Sequence, residues 1–210
     1  MPGETERDES AASGTTKSER TRERLITATA ATLSRLGYAG TRLIDVAEEA
    51  GLQGPAIYYY FDSREKLIEE VVVVGTVRLR DHVAAELAAA PPDATPLDRL
   101  DIAIEAHLRQ LMADSSFAHA VIRNQSQLPE AIRSRQLVEE RKYAAIWRQL
   151  SRDASAAGDL RAGLNPNLAY LLIIGSLNWA TEWWTPQRGS LDTLIATAKS
   201  LFHDGLAARP

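Results

Sequence analysis

TRLIDVAEEAGLQGPAIYYYFDSREKL, residues 41–67, reads as a helix, a tight turn, a second helix and the capped start of a third. Thr41 is the expected N-cap of the first helix, because its hydroxyl can accept one of the orphan backbone N–H groups there. Leu43, Val46, Ala47 and Ala50 follow at helical spacing and form a narrow apolar stripe. Gly51 stands where a helix closes in a left-handed residue, a conformation glycine takes without steric cost. Pro55 falls in the first turn of the next helix, where its missing N–H costs nothing. Ile57 and Phe61 lie four apart and would hold that helix against the first. Asp62 or Ser63 opens the third helix, and Glu65 comes three residues after Asp62, as in a capping box.

Two short helices joined by a Gly-containing turn make a helix-turn-helix, whose second helix enters the DNA major groove. The groove-facing candidates are Gln53, Gly54, Pro55, Ala56, Tyr58, Tyr59 and Tyr60. Thr41, Arg42, Arg64 and Lys66 flank them as candidate backbone contacts. Glutamine can bond two adenine edge atoms, alanine can touch a thymine methyl, and tyrosine hydroxyls reach phosphates. Two packed helices of an ordinary helical protein would show the same spacing.

The segment AEEAGLQGPAIYYYFDSREKL resembles the DNA-binding signature of TetR-family repressors, approximately ADIA..AGVS.G.LY.HF.SKE.L. Ala47, Ala50, Gly51, Leu52, Tyr58, Phe61, Ser63, Glu65 and Leu67 match directly, and Ile57 and Arg64 match in kind. With Gly37, Tyr38 and Thr41, the resemblance runs from Arg22 to Leu67. Gln53-Gly54-Pro55 replaces the common Ser-Lys-Gly, which removes one usual phosphate contact, and Tyr60 replaces a usual His. These departures leave the operator sequence open. The resemblance implies a homodimer on double-stranded operator DNA and a small-molecule effector bound in the C-terminal helices.

The 210 residues suffice for one or two domains with full cores, and 45% hydrophobic with 25% charged residues is a globular composition. With no cysteine, disulfides, thiolate catalysis and Cys-based metal sites are excluded. MPGETERDES at the start is acidic and has no apolar core, so it is not a signal peptide. No apolar run approaches the ~20 residues of a membrane span. The expected location is the cytoplasm, on the nucleoid, with no membrane partner. The net charge of −4 is unusual for a nucleic-acid binder, and Lys17 to Lys66 holds eight basic and seven acidic residues. DNA binding would therefore rest on placement, with Asp45, Glu48 and Glu49 turned from phosphate, and on a dimer with steep salt dependence.

The chain divides into an arm expected to be disordered (1–18), a helix-turn-helix domain (19–62) and a ligand-binding and dimerisation domain (63–210). Leu25, Ile26, Thr29, Leu33 and Leu36 mark a scaffold helix that Gly37 stops. The VVVV run at 71–74 favours strand by propensity, but helical patterns on both sides override it. Breaks at PPDATP (91–96), around Pro129, at GDLRAGLNP and at TPQRGS separate the remaining helices. The expectation is an all-α protein of about nine helices.

Asn167 to Trp184 is apolar nearly all round, the pattern of a helix buried on every side. With the last helix it suggests a subunit interface, from Leu172, Gly175, Ser176, Trp179 and Trp183 to Leu194, Ala198 and Leu201. Pairing of those two helices across a two-fold axis is what the resemblance implies. The four histidines are scattered, no H-E-x-x-H, P-loop or nucleophile motif occurs, and neither an enzyme, a metal nor a cofactor is expected. His107, His119, Arg123, Gln127, Tyr143, Trp147, Asn178 and Glu182 lie on helices that otherwise look internal, where buried polar atoms need partners. They read either as the polar groups of a mostly apolar pocket or as an internally satisfied network. LNWATEWWTPQRGSLDTLIATAKSLF is similar to the C-terminal ends of TetR-like regulators that answer to acyl-CoA thioesters in lipid breakdown. Glu182 stands where that group often has an Arg. The leading expectation is a repressor released by an acyl-CoA thioester. The alternatives are an efflux regulator answering a planar, apolar drug, and a helical interaction protein without DNA affinity.

Overall fold

The structure, a computed structural model, describes residues 5–208, and every regular element in them is helical. In chain order these are α1 (Thr5–Gly40), α2 (Leu43–Glu49), a 3-10 helix (Gly54–Tyr59), α3 (Arg64–Ala88) and α4 (Pro96–Ala113). Then come α5 (Ser115–Asn124), α6 (Glu130–Ala157), α7 (Pro166–Trp183), a 3-10 turn (Pro186–Arg188) and α8 (Leu191–Leu206). The fold is all-α, with eight α-helices and two 3-10 helices among the described residues against the nine or so expected. One isolated antiparallel bridge, Leu160 with Ala207, ties the α6–α7 turn to the end of α8. Among the described residues no helix is long and apolar enough to cross a membrane.

Local chemistry sets most element ends. Of the expected arm (1–18), residues 1–4 lie outside the described residues, and from Thr5 the backbone is helical and continuous with α1. Propagating a helix that already exists costs far less than nucleating one. The helix kinks at Gly37, where φ is 70°. Thr41 is not the cap of α2: that place belongs to Arg42, which makes no side-chain cap bond. The Thr41 hydroxyl instead donates to the Gly37 carbonyl at 2.8 Å, and Thr41 is buried. Gly51 takes φ 62° immediately after α2, as expected. Ser63 caps α3 by accepting from the Lys66 N–H at 3.1 Å, so the Asp62–Glu65 capping box does not form. The four valines are helical, with Val71 and Val72 buried. Downstream, Thr95 and Asp98 form a reciprocal capping box on α4, and the Asn165 and Ser190 side chains cap α7 and α8.

Two hydrophobic cores result. The head core joins Leu25, Ile26 and Leu33 of α1, Val46 and Ala47 of α2, Ile57 and Phe61 to Leu67, Ile68, Val71 and Val72 of α3. It also takes Phe117 and Ala120 from α5, Leu128, and Ile132 from α6. The larger core packs the far half of α3 against α4, α6, α7 and α8 around the fully buried Trp147. Two ion pairs and a hydrogen bond fasten α8 to α4: Lys199–Glu105 at 3.0 Å, Arg109–Asp192 at 2.9 Å, and His203 Nδ1 with Asp101 at 2.8 Å.

Candidate nucleic-acid interface and pocket

The helix-turn-helix places Ile57 and Phe61 inward and turns Gln53, Pro55, Tyr58 and Tyr59 outward, with Tyr59 81% exposed. Gly54, Ala56 and Tyr60 are half-buried, and Tyr60 packs partly on the head core. The Tyr59 and Tyr60 rings meet edge-on, with centroids 5.0 Å apart. The recognition segment is a 3-10 helix rather than the α-helix expected. Gly54 and Pro55 open it, and in six residues the bonds run from N–H to the carbonyl three back, Ala56 to Gln53 and Tyr60 to Ile57. Two bare tyrosines on a rigid turn remain unusual for a free surface, since large aromatic rings normally seek a covering partner.

Two residues expected at the DNA are turned from it, one buried and one only partly exposed. Thr41 is 1% exposed. Arg64 turns inward, donating from Nε to the Thr41 carbonyl at 2.5 Å and from Nη2 to the Tyr38 carbonyl, with its guanidinium 4.5 Å over the Tyr38 ring. It is a strut between α3 and the end of α1. Arg42 and Lys66 are outward, each with an acidic neighbour: Asp45 at 3.1 Å and the buried Glu69 at 2.9 Å. An exposed arginine such as Arg42 holds its pair loosely and exchanges it readily for phosphate, whereas Lys66 also neutralises a buried carboxylate. Leu36, Asp45, Glu48 and Glu49 rim a separate shallow groove beside α2.

Inside the larger half lies a pocket of about 180 Å³ between α3, α4, α5, α6 and α7. Leu79, Leu111, Phe117, Val121, Ile122 and Ile174 supply most of its apolar wall. Its polar lining is Thr76, Gln110, Asp114, Gln125, Glu140, Tyr143 and Asn178, with no lysine, arginine or histidine. Burial pushes the Glu140 carboxyl above the usual range, and the Gln136 amide donates to it at 2.8 Å. Asp114 is paired with Arg78 at 3.2 Å.

Of the residues expected around a ligand, the structure brings four together. His107, 0% exposed, has Nδ1 at 2.6 Å from the Tyr143 hydroxyl and Nε2 at 3.1 Å from Asn178 Oδ1. Trp147 closes the group edge-on, its ring 5.8 Å from that of His107, with Nε1 buried and without a hydrogen-bond partner. Tyr143 and Asn178 face the pocket, while His107 and Trp147 stand behind them. Burial holds the His107 imidazolium down to about pKa 4 and raises the Tyr143 phenol, so both are neutral at pH 7. The other four lie elsewhere. Arg123 donates from Nε to Glu182 at 2.6 Å on the surface between α5 and α7, His119 Nε2 bonds the Thr181 carbonyl at 3.0 Å, and Gln127 is exposed near Gly37. Among the described residues no cluster of three His, Asp or Glu could hold a metal ion.

The expectation that α7 is buried on every side fails within one chain. Leu172 is 72% exposed, and Leu168, Gly175, Ser176, Trp179 and Trp183 share its bare face, which continues to the exposed Leu201 on α8. Leu194 and Ala198, expected on that face, pack partly against their own core. An α7 that is apolar all round has one side for its own subunit and one left over.

Two residues connect the pocket wall to the head: Arg78, which has no place in the sequence reading, and Asn124, which by sequence belongs with the polar groups of a pocket or a satisfied network. Arg78 on α3 pairs with Asp114 at the pocket and with Glu23 on α1, and lies 4.5 Å over the Phe117 ring. Asn124, at the end of α5, is fully buried and accepts from the Tyr38 N–H at 2.8 Å, while its Nδ2 donates to the Ala120 carbonyl at 3.2 Å. A polar Asn124 in register with Phe117 and Ala120 on an otherwise apolar helix face was the available signal.

Comparison with known proteins follows these two halves. The family model described as "Bacterial regulatory proteins, tetR family" matches residues 25–71, and "Tetracyclin repressor-like, C-terminal domain" matches 93–199, about half of the chain. A curated relative, the fatty acid metabolism regulator protein of Bacillus subtilis (strain 168), is 22% identical over 180 residues, 84% of this chain and 89% of that protein. Among solved structures, the fatty acid degradation regulator FadR from Bacillus halodurans superimposes with a TM-score of 0.75 at 21% identity, covering 90% of this chain and 97% of that one. AibR, solved in complex with isovaleryl coenzyme A and operator DNA, superimposes with a TM-score of 0.78 at 16% identity, covering 87% and 98%. At these identities the structural likenesses show the fold.

Proposed function

Because the chain belongs to the TetR family of transcriptional regulators, we propose that it is a homodimeric repressor released from its operator by a small lipophilic effector, with an acyl-CoA thioester as the leading candidate. The observation that carries this reading is that α5 serves two cores at once. One face lines the pocket through Ala118, Val121 and Ile122, the other docks on α1 through Ala120 and Asn124, and Phe117 belongs to both the pocket wall and the head core. A ligand that moves α5 must therefore move the end of α1, and with it the recognition segment. The effect on DNA is bounded by the ligand's differential affinity for the two head positions.

The remaining parts fit the same reading. The bare face of α7 and α8 is where a second copy would pack, setting two Tyr58–Tyr59 edges about 34–36 Å apart on a pseudo-palindrome. Gln53, Pro55 and the two tyrosines would meet the groove, with Arg42 and Lys66 on phosphate. The acyl-CoA candidate draws on the acyl-CoA bound by AibR and on the fatty-acid names of the other relatives. At about 180 Å³ the pocket is below the ~300–1,000 Å³ usual for ligands, so it suits an acyl end with the nucleotide outside. Fluorescence anisotropy on a duplex selected from a random pool tests the proposal. Acyl-CoA is expected to lower DNA affinity in a titratable way. Tighter DNA binding in its presence would make the ligand a co-repressor, and no change across chain lengths would remove acyl-CoA as the effector.

A further inference from the structure

The three-residue chain at the pocket floor fixes which atoms face the ligand. Asn178 presents Oδ1 to His107 Nε2, so Nε2 carries the ring proton. His107 Nδ1 is then an acceptor, and the Tyr143 hydroxyl donates to it at 2.6 Å. With the imidazole neutral and 0% exposed, neither hydrogen bond can be traded for water. The consequence falls on Asn178. Its oxygen is engaged by His107, which leaves the Nδ2 amide as the atom it offers to the pocket it lines. Of the other side-chain donors lining the pocket, the Tyr143 proton is taken by His107, the Thr76 hydroxyl donates to the Val72 carbonyl at 2.9 Å and the Gln125 amide to Glu140 at 3.3 Å, which leaves the Gln110 amide as the second donor beside Asn178.

The walls carry the complementary restriction. Besides the neutral Tyr143 phenol, the ionisable groups lining the pocket are two carboxyls, Asp114 and Glu140, and no lysine, arginine or histidine lines it. A ligand carboxylate placed there would lose its water without finding a cation in the lining, whereas a neutral carbonyl would meet an amide donor in an apolar slot.

We infer that this pocket selects a neutral carbonyl compound (a thioester or ketone, not a free acid) and reads its oxygen through Asn178 Nδ2, with His107 and Tyr143 as positioning residues. The inference rests on the pocket being the effector site.

The test measures binding of three probes to the full-length wild-type protein at pH 7 by calorimetry: the octanoyl thioester of N-acetylcysteamine, its thioether with the carbonyl replaced by methylene, and sodium octanoate. The thioester is expected to bind at least tenfold more tightly than either of the others. In Asn178→Asp, which keeps an oxygen for His107 but has no amide donor, the thioester should lose its advantage over the thioether. In Tyr143→Phe, Nδ1 loses its donor, so the ring ¹⁵N shifts of His107 should report a mixture of tautomers and the thioester preference should shrink. A purely structural tyrosine would leave those shifts unchanged. Should either variant misfold, the wild-type series alone decides. Equal binding of thioester and thioether, or preference for octanoate, overturns the inference while leaving a lipophilic effector in place. Failure of all three to bind takes down both.

Discussion

Arg64 sits at the rim of the surface offered to DNA, yet its guanidinium grips two backbone carbonyls and a ring of its own subunit. Nothing in the sequence distinguishes such an arginine from a phosphate contact, because its partners are main-chain atoms of residues 38 and 41, which carry no side-chain signature. The inward Ile57 and Phe61, by contrast, were legible from their spacing, which left the tyrosines open: Tyr58 and Tyr59 turn outward and Tyr60 is half-buried. The distinction is measurable as salt dependence. Arg42→Ala should weaken DNA binding and reduce the slope of log affinity against log salt by about 1, as expected for one lost phosphate contact. Arg64→Ala should lower unfolding stability by roughly 1–3 kcal/mol through its unpaired carbonyls and leave that slope unchanged. His107 gives a second test at this scale. Its folded pKa, near 4, lies below that of an unfolded histidine, so the unfolded chain binds the extra proton first. Its contribution is therefore fully present above about pH 6.5 and is lost as pH falls toward 4, by roughly 3 kcal/mol in all. Denaturant melts of wild type and His107→Gln across that window should show the variant losing less stability on acidification.

Among the elements, α5 was the hardest to place from sequence. Its ten residues carry apolar side chains for two cores, so no single stripe stands out, and its partners lie far away along the chain. The longer helices were legible because their ends carry Pro, Gly, Ser, Thr or Asn chemistry. The recognition segment was mistaken for an α-helix because Gly54-Pro55 at the start of a six-residue element favours the tighter winding. Asn124 makes α5 testable as a connector. In Asn124→Ala the Tyr38 N–H loses its acceptor, at a cost of roughly 1–3 kcal/mol in stability. Effector affinity should stay within about threefold, while the effector's power to release DNA should fall. Calorimetry and anisotropy on the same preparation separate the two, and unchanged release would show that Arg78 or α3 carries the coupling instead.

For the molecule as a whole, hydrophobicity all round α7 told that the helix would be covered but not by what, since a subunit's own core and a second copy leave the same mark in sequence. Leu172→Glu places a charge in the middle of the bare face without touching either core. Sedimentation should then show monomer, circular dichroism should show an intact fold, and affinity for a palindromic duplex should fall to that of a single half-site. Wild type that sediments as monomer at micromolar concentration would contradict the dimer reading. The shared head core has a practical corollary for anyone building chimaeras. Phe117, Ala120, Leu128 and Ile132 lie more than fifty residues beyond the point where a recognition module would ordinarily be cut, yet they seal its underside. Grafting another regulator's residues 1–62 onto this body would pair two mismatched halves of one interior, and excising that module would leave it open to water. A working hybrid must carry α5 and the start of α6 along with the head.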